Sequence, residues 1–297
     1  MTYAGLPSLG QLPQLLWAGC TSGLVVGLLA CLLVLMFRVS RVINLAVGGI
    51  YVTGALIVAA GPARGFGHIA LAIFGTAAAG ATLGLLQEKF ILRRLANAEI
   101  FIQLVSTIGL ATILEGVVVV ASGRAPLGPG PLIGSTWAVG KTWRVSGTDL
   151  LIVGISLVVA LLSEAWLRRT ATGRVLAATT EDAEAATMLG INVIRFRLVI
   201  YSVLGALGAL AGGVMTSTSQ PSYSSVLPLA LDALIAAYLF GRGLSPAGAL
   251  AGGLVVGLVQ VTGARIFSST VSSLLVAALL VLVLTTTGRR AIAIQGR

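Results

Sequence analysis

The chain has 297 residues, of which 57% are hydrophobic and only 9% are charged. A soluble domain carries about 25% charged residues, so this chain cannot cover its surface in water, and no soluble domain fits beside its apolar segments. The net charge of +10 does not indicate nucleic acid, because the basic residues stand in short clusters between apolar runs, as in the loops of membrane proteins. The composition predicts an all-α integral membrane protein with a single transmembrane domain over residues 1–297.

Seven apolar segments are long enough to cross a bilayer, which takes about 20 residues. They are 14–37, 42–61, 66–87, 100–121, 148–167, 197–217 and 270–287. The region 228–263 holds two shorter apolar pieces, 228–240 and 246–263, separated by "GRGLSP". The sequence thus predicts a polytopic helix bundle of about eight or nine membrane segments, in which the two shorter pieces form a broken helix or a pair of half-helices.

The distribution of lysine and arginine between the loops predicts the orientation, because cytoplasmic loops carry the excess. Fourteen basic residues fall on one side and five on the other if the N-terminus lies outside and the C-terminus lies in the cytoplasm. The loop 168–197 is then cytoplasmic, and the loop 122–147 is external. Within the external loop, "STWAV" and "KTWRV" alternate as in a short β-hairpin.

Small residues recur four positions apart in several segments, a spacing that lets helix backbones approach closely in lipid. The pairs are Gly23/Gly27, Gly80/Gly84, Gly208/Gly212, Gly248/Gly252 and Gly253/Gly257. Their number predicts a tightly packed bundle.

The stretch "TTEDAEAATMLGIN" at 179–192 is a charged island in the predicted cytoplasmic loop. It predicts a short surface helix over 181–189, capped by Thr179 or Thr180 and ended by Gly190 in the left-handed conformation. Met188 and Leu189 form a small apolar knob at its end. The pattern fits a solvated loop helix or a docking element for a partner.

Three stretches of this sequence resemble the permeases of the branched-chain amino-acid ABC transporter family, and the shorter of its two paralogous subunits fits best. The first is "TGRVLAATTEDAEAATMLGINVIRFRLVIYSVLGALGALAGGV", similar to the family's cytoplasmic EAA-type loop and the following helix. The others are "INLAVGGIYVTGA" (43–55) and "DALIAAYLFGRGLSPAGALAGGLVVGLVQ" (232–260). The sequence departs from the family pattern at Ala177 and at Val47-Gly48-Gly49, where the family often has arginine and His-Gly-Glu.

The resemblance implies a subunit of an ABC importer in a bacterial inner membrane, with type II-like architecture. It also implies that separate subunits bind ATP and deliver the solute. This chain would pair with a second, paralogous permease, two ATPase subunits would bind ATP and magnesium below it, and an external solute-binding protein would deliver the solute. The chain itself would be non-catalytic and would hold no cofactor or metal. The residues implied to couple it to an ATPase are Gly173, Arg174, Glu181, Asp182, Glu184, Ala185, Met188, Leu189, Gly190 and Asn192.

Polar side chains inside the apolar segments are candidates for the solute pathway, since such groups are costly in a membrane. The candidates are Asn44, Gln103, Thr107, Glu115, Asp232 and Gln260. An interhelical hydrogen bond explains the uncharged ones equally well, and Glu115 is equally consistent with a solvated position near the outer interface.

Two other classes of function compete with the importer permease. No HExxH, GxSxG or P-loop motif is present, which disfavours an enzyme. A self-sufficient channel or secondary transporter for a small polar solute such as urea or an amide can use broken helices, but it has no evident need for the charged island. A membrane scaffold is the weakest alternative. Branched-chain amino acids, urea, short amides and other small polar organic solutes all remain open as substrates.

Overall fold

The computed structural model of the chain describes residues 12–60, 71–96, 98–122, 136–139, 143–215, 223–240 and 244–295. Helices account for most of these residues. In chain order the elements are α1 (Leu12–Ser40), α2 (Val47–Ala60), α3 (71–95), α4 (Ile100–Ser122), β1 (Thr136–Val139), β2 (Trp143–Ser146), α5 (Gly147–Arg169), α6 (Ala171–Glu181), α7 (Ala183–Met188), α8 (Val193–Met215), α9 (Val226–Leu239), α10 (Pro246–Ile266) and α11 (Ser269–Gln295). Helix α3 is π-helical over Leu71–Gly75 and Glu88–Leu92 and α-helical elsewhere.

Five helices of the described chain are long and apolar enough to cross a membrane, namely α1, α4, α5, α8 and α10. Three shorter apolar helices accompany them, at 47–60, 226–239 and 269–279. The predicted count of eight or nine membrane segments is therefore not confirmed, whereas the helical membrane architecture is.

Two predicted segments have different boundaries in the structure. Residues 41–46 are not helical, so the predicted segment 42–61 forms a helix only from Val47 onward. The piece 246–263, for which a half-helix was one expectation, forms helix α10, which ends at Ile266 and is long enough to cross a membrane. Its start agrees with the prediction, because the Ser245 hydroxyl caps the amide of Gly248 and Pro246 occupies the first turn, an arrangement that starts a helix well. The centre of the "GRGLSP" break, 241–243, and the start of the segment 66–87 lie outside the described residues.

Glycines set the closest helix contacts, as their spacing predicts. A Cβ atom at Gly253 or Gly257 of α10 would overlap the backbone of Gly27 or Gly23 of α1. Likewise, the backbone of α8 leaves no room for a Cβ at Gly80 or Gly84 of α3. Helix α1 is the most buried of the membrane helices, with 78% of its apolar window inside the bundle.

The apolar outer faces belong mainly to α4, α5 and α11. The membrane windows of α4 and α5 are each only 22% buried, and α11 carries several exposed leucine and valine side chains. Phe101 of α4 and Leu161 of α5, for example, are 75% and 67% exposed. These faces suit contact with lipid or with another membrane chain, since a monomeric soluble protein rarely exposes large apolar patches.

The hairpin predicted within the loop 122–147 is confirmed. Strands β1 and β2 pair antiparallel, with Trp137 opposite Val145. The Arg144 amide donates to Gln14 Oε1 at 2.9 Å, and Trp17 Nε1 donates to Asp149 Oδ2 at 3.2 Å. These bonds fix the hairpin and the start of α5 against the start of α1. Residues 123–135 and 140–142 of this loop lie outside the described residues.

Candidate coupling site and polar residues of the membrane helices

The charged island forms two helices rather than one. Helix α6 begins at the N-cap Thr170, whose hydroxyl accepts from the Gly173 amide at 3.0 Å, and it runs to Glu181. Asp182 is extended, with φ −148°, and its Oδ1 accepts from the amides of Glu184 and Ala185, both at 2.9 Å. The carboxylate thereby satisfies two amides that have no partner within the helix at the start of α7.

The predicted capping by Thr179 or Thr180 is therefore wrong, as is a continuous helix over 181–189. Both hydroxyls donate to the carbonyl of Leu176, at 3.0 and 2.6 Å, within the last turns of α6. A threonine bonded back to the preceding turn is not available to cap the next helix.

The end of α7 agrees with the prediction. Gly190 has φ +83°, a conformation that glycine adopts without the steric cost of a Cβ atom. Asn192 Oδ1 then accepts from the Arg195 amide at 3.0 Å and starts α8. The chain thus passes from α7 into the membrane helix α8 through a short, defined turn.

Most of the predicted coupling residues lie on the surface. Met188 and Leu189 are 87% and 80% exposed, so that two adjacent large apolar side chains project from this loop. The other exposed members of the set are Arg174, Glu181, Asp182, Glu184, Ala185, Gly190 and Asn192. Gly173 is the exception, because it is buried and a Cβ there would overlap the carbonyls of Trp166 and Leu167.

Helix α6 is hydrogen-bonded to the end of α1. Arg41 Nη2 donates to the Thr180 carbonyl at 2.8 Å. The Thr180 hydroxyl shares its one proton between the carbonyls of Leu176, at 2.6 Å, and of Arg38, at 2.8 Å. Arg41 has φ +60°, an uncommon conformation for a residue other than glycine. Beside these bonds lies a cavity of about 240 Å³, lined by Phe37, Arg38, Arg41, Leu176, Ala177, Thr180, Glu181 and Leu244.

Two of the pathway candidates, Asn44 and Thr107, meet at the non-helical residues 41–46. Asn44 is fully buried, and its Nδ2 donates to Gln87 Oε1 at 2.9 Å. Thr107 of α4 donates to the Ile43 carbonyl at 3.2 Å. These side chains satisfy backbone and amide groups where the helix is interrupted, which is the condition for irregular backbone at membrane depth.

Asp232 and Gln260 form a second pair, with Gln260 Nε2 donating to Asp232 Oδ2 at 2.7 Å. The sequence analysis did not foresee this bond. Gln103 donates to the carbonyls of Leu95 and Ala98 and so closes the turn between α3 and α4. Glu115 is half-buried on α4. A role in solute passage stays a prediction for all six candidates.

The sequence analysis did not predict the buried ion pair of Glu88 and Arg197. Arg197 Nε lies 2.7 Å from Glu88 Oε1, and the two side chains are 17% and 2% exposed. One turn beyond Arg197, the Tyr201 hydroxyl lies 2.7 Å from Ser40 Oγ and donates to the Met36 carbonyl at 3.1 Å. The only signal for Glu88 was a single acidic residue at the end of an apolar run, next to a cluster of basic residues that indicated a loop.

The arrangement is that of a helical membrane protein: apolar helices packed through glycines, with an exposed, charged helical loop leading directly into one of them. The profile of the family described as the branched-chain amino acid transport system permease component matches residues 15–284. The chain belongs to this family and is the permease of an ABC importer.

Curated relatives agree over nearly the whole chain. The high-affinity branched-chain amino acid transport system permease protein LivH of Escherichia coli is 27% identical over 91% of this chain and 92% of its own length. The corresponding protein BraD of Pseudomonas aeruginosa is 26% identical over 94% and 95%. The ribose import permease protein RbsC of Escherichia coli is 29% identical over 65% and 59%. The family favours an importer permease over a self-sufficient channel or secondary transporter.

Proposed function

We propose that this chain forms half of the translocation pathway of an ATP-driven importer, beside a second permease, and that two separate ATPase subunits and an external solute-binding protein complete the transporter. In this complex the loop 168–197 lies in the cytoplasm, and α7 docks into a groove on one ATPase. The bundle has the type II-like architecture with about eight or nine membrane segments.

The exposed pair Met188 and Leu189 is the observation that carries this proposal. The two side chains stand at the end of a short helix whose other residues are three alanines, Glu184 and Thr187. Helix α6, which precedes it, is hydrogen-bonded to the end of α1 through Arg41 and Thr180. Two exposed apolar side chains on a helix attached to the bundle suit a contact with a partner protein, because removing apolar surface from water drives most protein association.

We infer that the solute is a branched-chain amino acid or a related small amino acid. Support comes from relatives named for branched-chain amino acids that match nearly end to end, whereas RbsC, named for ribose, matches a smaller part of the chain. The carboxylate of Asp232, a pathway candidate, is chemically suited to an amino-acid ammonium group.

Purification of the complex from its native membrane tests the proposal. We expect an ATPase subunit to copurify, and its binding protein to retain leucine, isoleucine or valine. Replacing Met188 and Leu189 together with serine should greatly weaken ATPase copurification without lowering the amount of chain in the membrane. The matched control is Glu99→Gln, which alters an exposed side chain outside the loop. A wild-type chain that purifies without any ATPase would contradict the proposal, and a retained sugar would contradict the inferred solute.

A further inference from the structure

The chain turns sharply between α1 and α2, at residues 38–46, and this corner is held by side chains from three other helices. Thr180 of α6 donates to the Arg38 carbonyl, and the Tyr201 hydroxyl of α8 lies against Ser40 Oγ. Gln87 of α3 accepts from Asn44. The corner is therefore where the cytoplasmic loop, the helix that follows it and α3 meet the most buried helix of the bundle.

Glu88 and Arg197 join two of these helices directly beside the corner. Arg197 lies in the second turn of α8, soon after the Asn192 cap that follows the exposed helix α7. Glu88 is the immediate neighbour of Gln87, and it lies where α3 changes from α-helical to π-helical geometry. The ion pair thus connects the start of α8 with Glu88, and the adjacent residue Gln87 bonds Asn44.

The pair is not explained by stability alone. A buried ion pair loses much of its attraction to desolvation, and apolar residues of similar volume often stabilise a protein as well or better. Among the described residues, Glu88 Oε2, Arg197 Nη2 and the nearby Gln87 Nε2 are buried without a hydrogen-bond partner. Buried donors and acceptors that have no hydrogen-bond partner can form new bonds when two helices shift.

We propose that Glu88 and Arg197 are positioning residues that fix the start of α8 to α3, so that displacement of the loop 168–197 is transmitted to the corner of residues 38–46. The proposal rests on the function proposed above, in which an ATPase displaces this loop. Neither side chain needs to touch the solute. Gly80 and Gly84 pack α3 against α8 farther along the two helices, so loss of the pair frees only the end of α3 nearest the corner, and the bond from Asn44 to Gln87 then follows the loop less closely.

The test measures uptake of radiolabelled leucine per ATP hydrolysed, using the whole transporter with its binding protein in proteoliposomes. Glu88→Gln and Arg197→Gln should each lower this ratio on the order of tenfold, a size compatible with coupling between contacting residues. Because each single variant leaves one charge buried without its partner, size-exclusion chromatography first measures the assembled fraction, and both uptake and ATP hydrolysis are expressed per assembled transporter. Glu99→Gln makes the same change from carboxylate to carboxamide at an exposed position. It is the matched control, and its uptake of leucine per ATP hydrolysed should equal that of the wild type.

Two double variants separate positioning from simple packing. The exchanged pair Glu88→Arg/Arg197→Glu should recover much of the coupling ratio. The apolar pair Glu88→Leu/Arg197→Met should assemble well and stay uncoupled. Wild-type coupling in either single variant, or in the apolar double variant, would overturn the proposal. Absence of ATP-dependent leucine uptake in the wild-type transporter would instead contradict the proposed function itself.

Discussion

At the residue scale, the pair of Asp232 and Gln260 shows how a hydrogen bond between helices lowers the cost of a polar group among apolar ones. A charge at the centre of a membrane helix costs about 2.5–3.5 kcal/mol on insertion scales. The bond from Gln260 Nε2 offsets part of this cost, and the Ser272 hydroxyl donates to the Gln260 carbonyl at 2.7 Å. The three residues link α9, α10 and α11.

Asp232→Asn tests whether the carboxylate serves transport or only this packing. Asparagine keeps the size and can still accept from Gln260, so we expect the complex to assemble and to hydrolyse ATP normally. If the charge serves the solute, uptake should fall several-fold across leucine concentrations in a proteoliposome assay. Unchanged uptake at every concentration would restrict Asp232 to a structural role.

Asp182 makes a second prediction at this scale, since its carboxylate caps α7. Asp182→Ala removes the acceptor for the Glu184 and Ala185 amides and should cost about 1 kcal/mol of helix stability. Hydrogen exchange at these two amides should then be faster than in wild type. Asp182→Asn is the control, because asparagine caps about as well. Equal exchange rates in the alanine and asparagine variants would show that the cap does not hold α7.

At the element scale, glycines determine which helices approach most closely. A Cβ atom at Gly252 of α10 would overlap the carbonyl of Ala236 of α9, whereas nothing lies within 4 Å of a Cβ at Gly154 of α5. The same substitution therefore meets a tight helix contact at Gly252 and open space at Gly154.

Gly252→Leu should separate α9 from α10 and abolish assembly or transport, because overpacking alone typically costs about 1–3 kcal/mol. Gly154→Leu should leave both intact. The yield of the assembled transporter and its leucine uptake measure the effect. Normal assembly and uptake of the Gly252 variant would mean that α9 and α10 do not pack as the structure has them.

The sequence predicted those elements that leave a local pattern. Long apolar runs predicted the membrane helices, glycine spacing predicted close packing, and "TMLGIN" predicted the end of α7. The break at Asp182 was missed because both threonines before it are equally good caps by type, and only their bonds to Leu176 show that they belong to α6.

Contacts between distant parts of the chain left no such pattern. Glu88 and Arg197 lie on different helices, and neither the spacing nor the type of residue connects them in the sequence. Likewise, residues 41–46 are apolar enough to continue a helix, and the interruption is stabilised by Gln87 and Thr107 from elsewhere. Tertiary contacts of this kind override the local preference for helix.

At the scale of the whole molecule, the proposed orientation places the exposed loop and the hairpin on opposite sides of the membrane. A reporter fused within 176–194 should be active in the cytoplasm, and one fused within the loop 122–147 should be active outside. The excess of basic residues on the proposed cytoplasmic side is the physical reason. The reverse pattern of reporter activity would overturn the orientation and, with it, docking of α7 to a cytoplasmic ATPase.

The coupling of ATP hydrolysis to uptake through α7 is tested most directly by Glu184→Arg in the reconstituted transporter. Glu184 is exposed in the first turn of α7, where a negative charge favours the helix dipole and a positive charge opposes it. Glu99→Arg, the same reversal at an exposed carboxylate outside the loop, is the control. We predict that Glu184→Arg inserts into the membrane normally and that ATP hydrolysis continues while ATP-driven leucine uptake is lost. Coupled uptake at the wild-type rate in this variant would contradict the account.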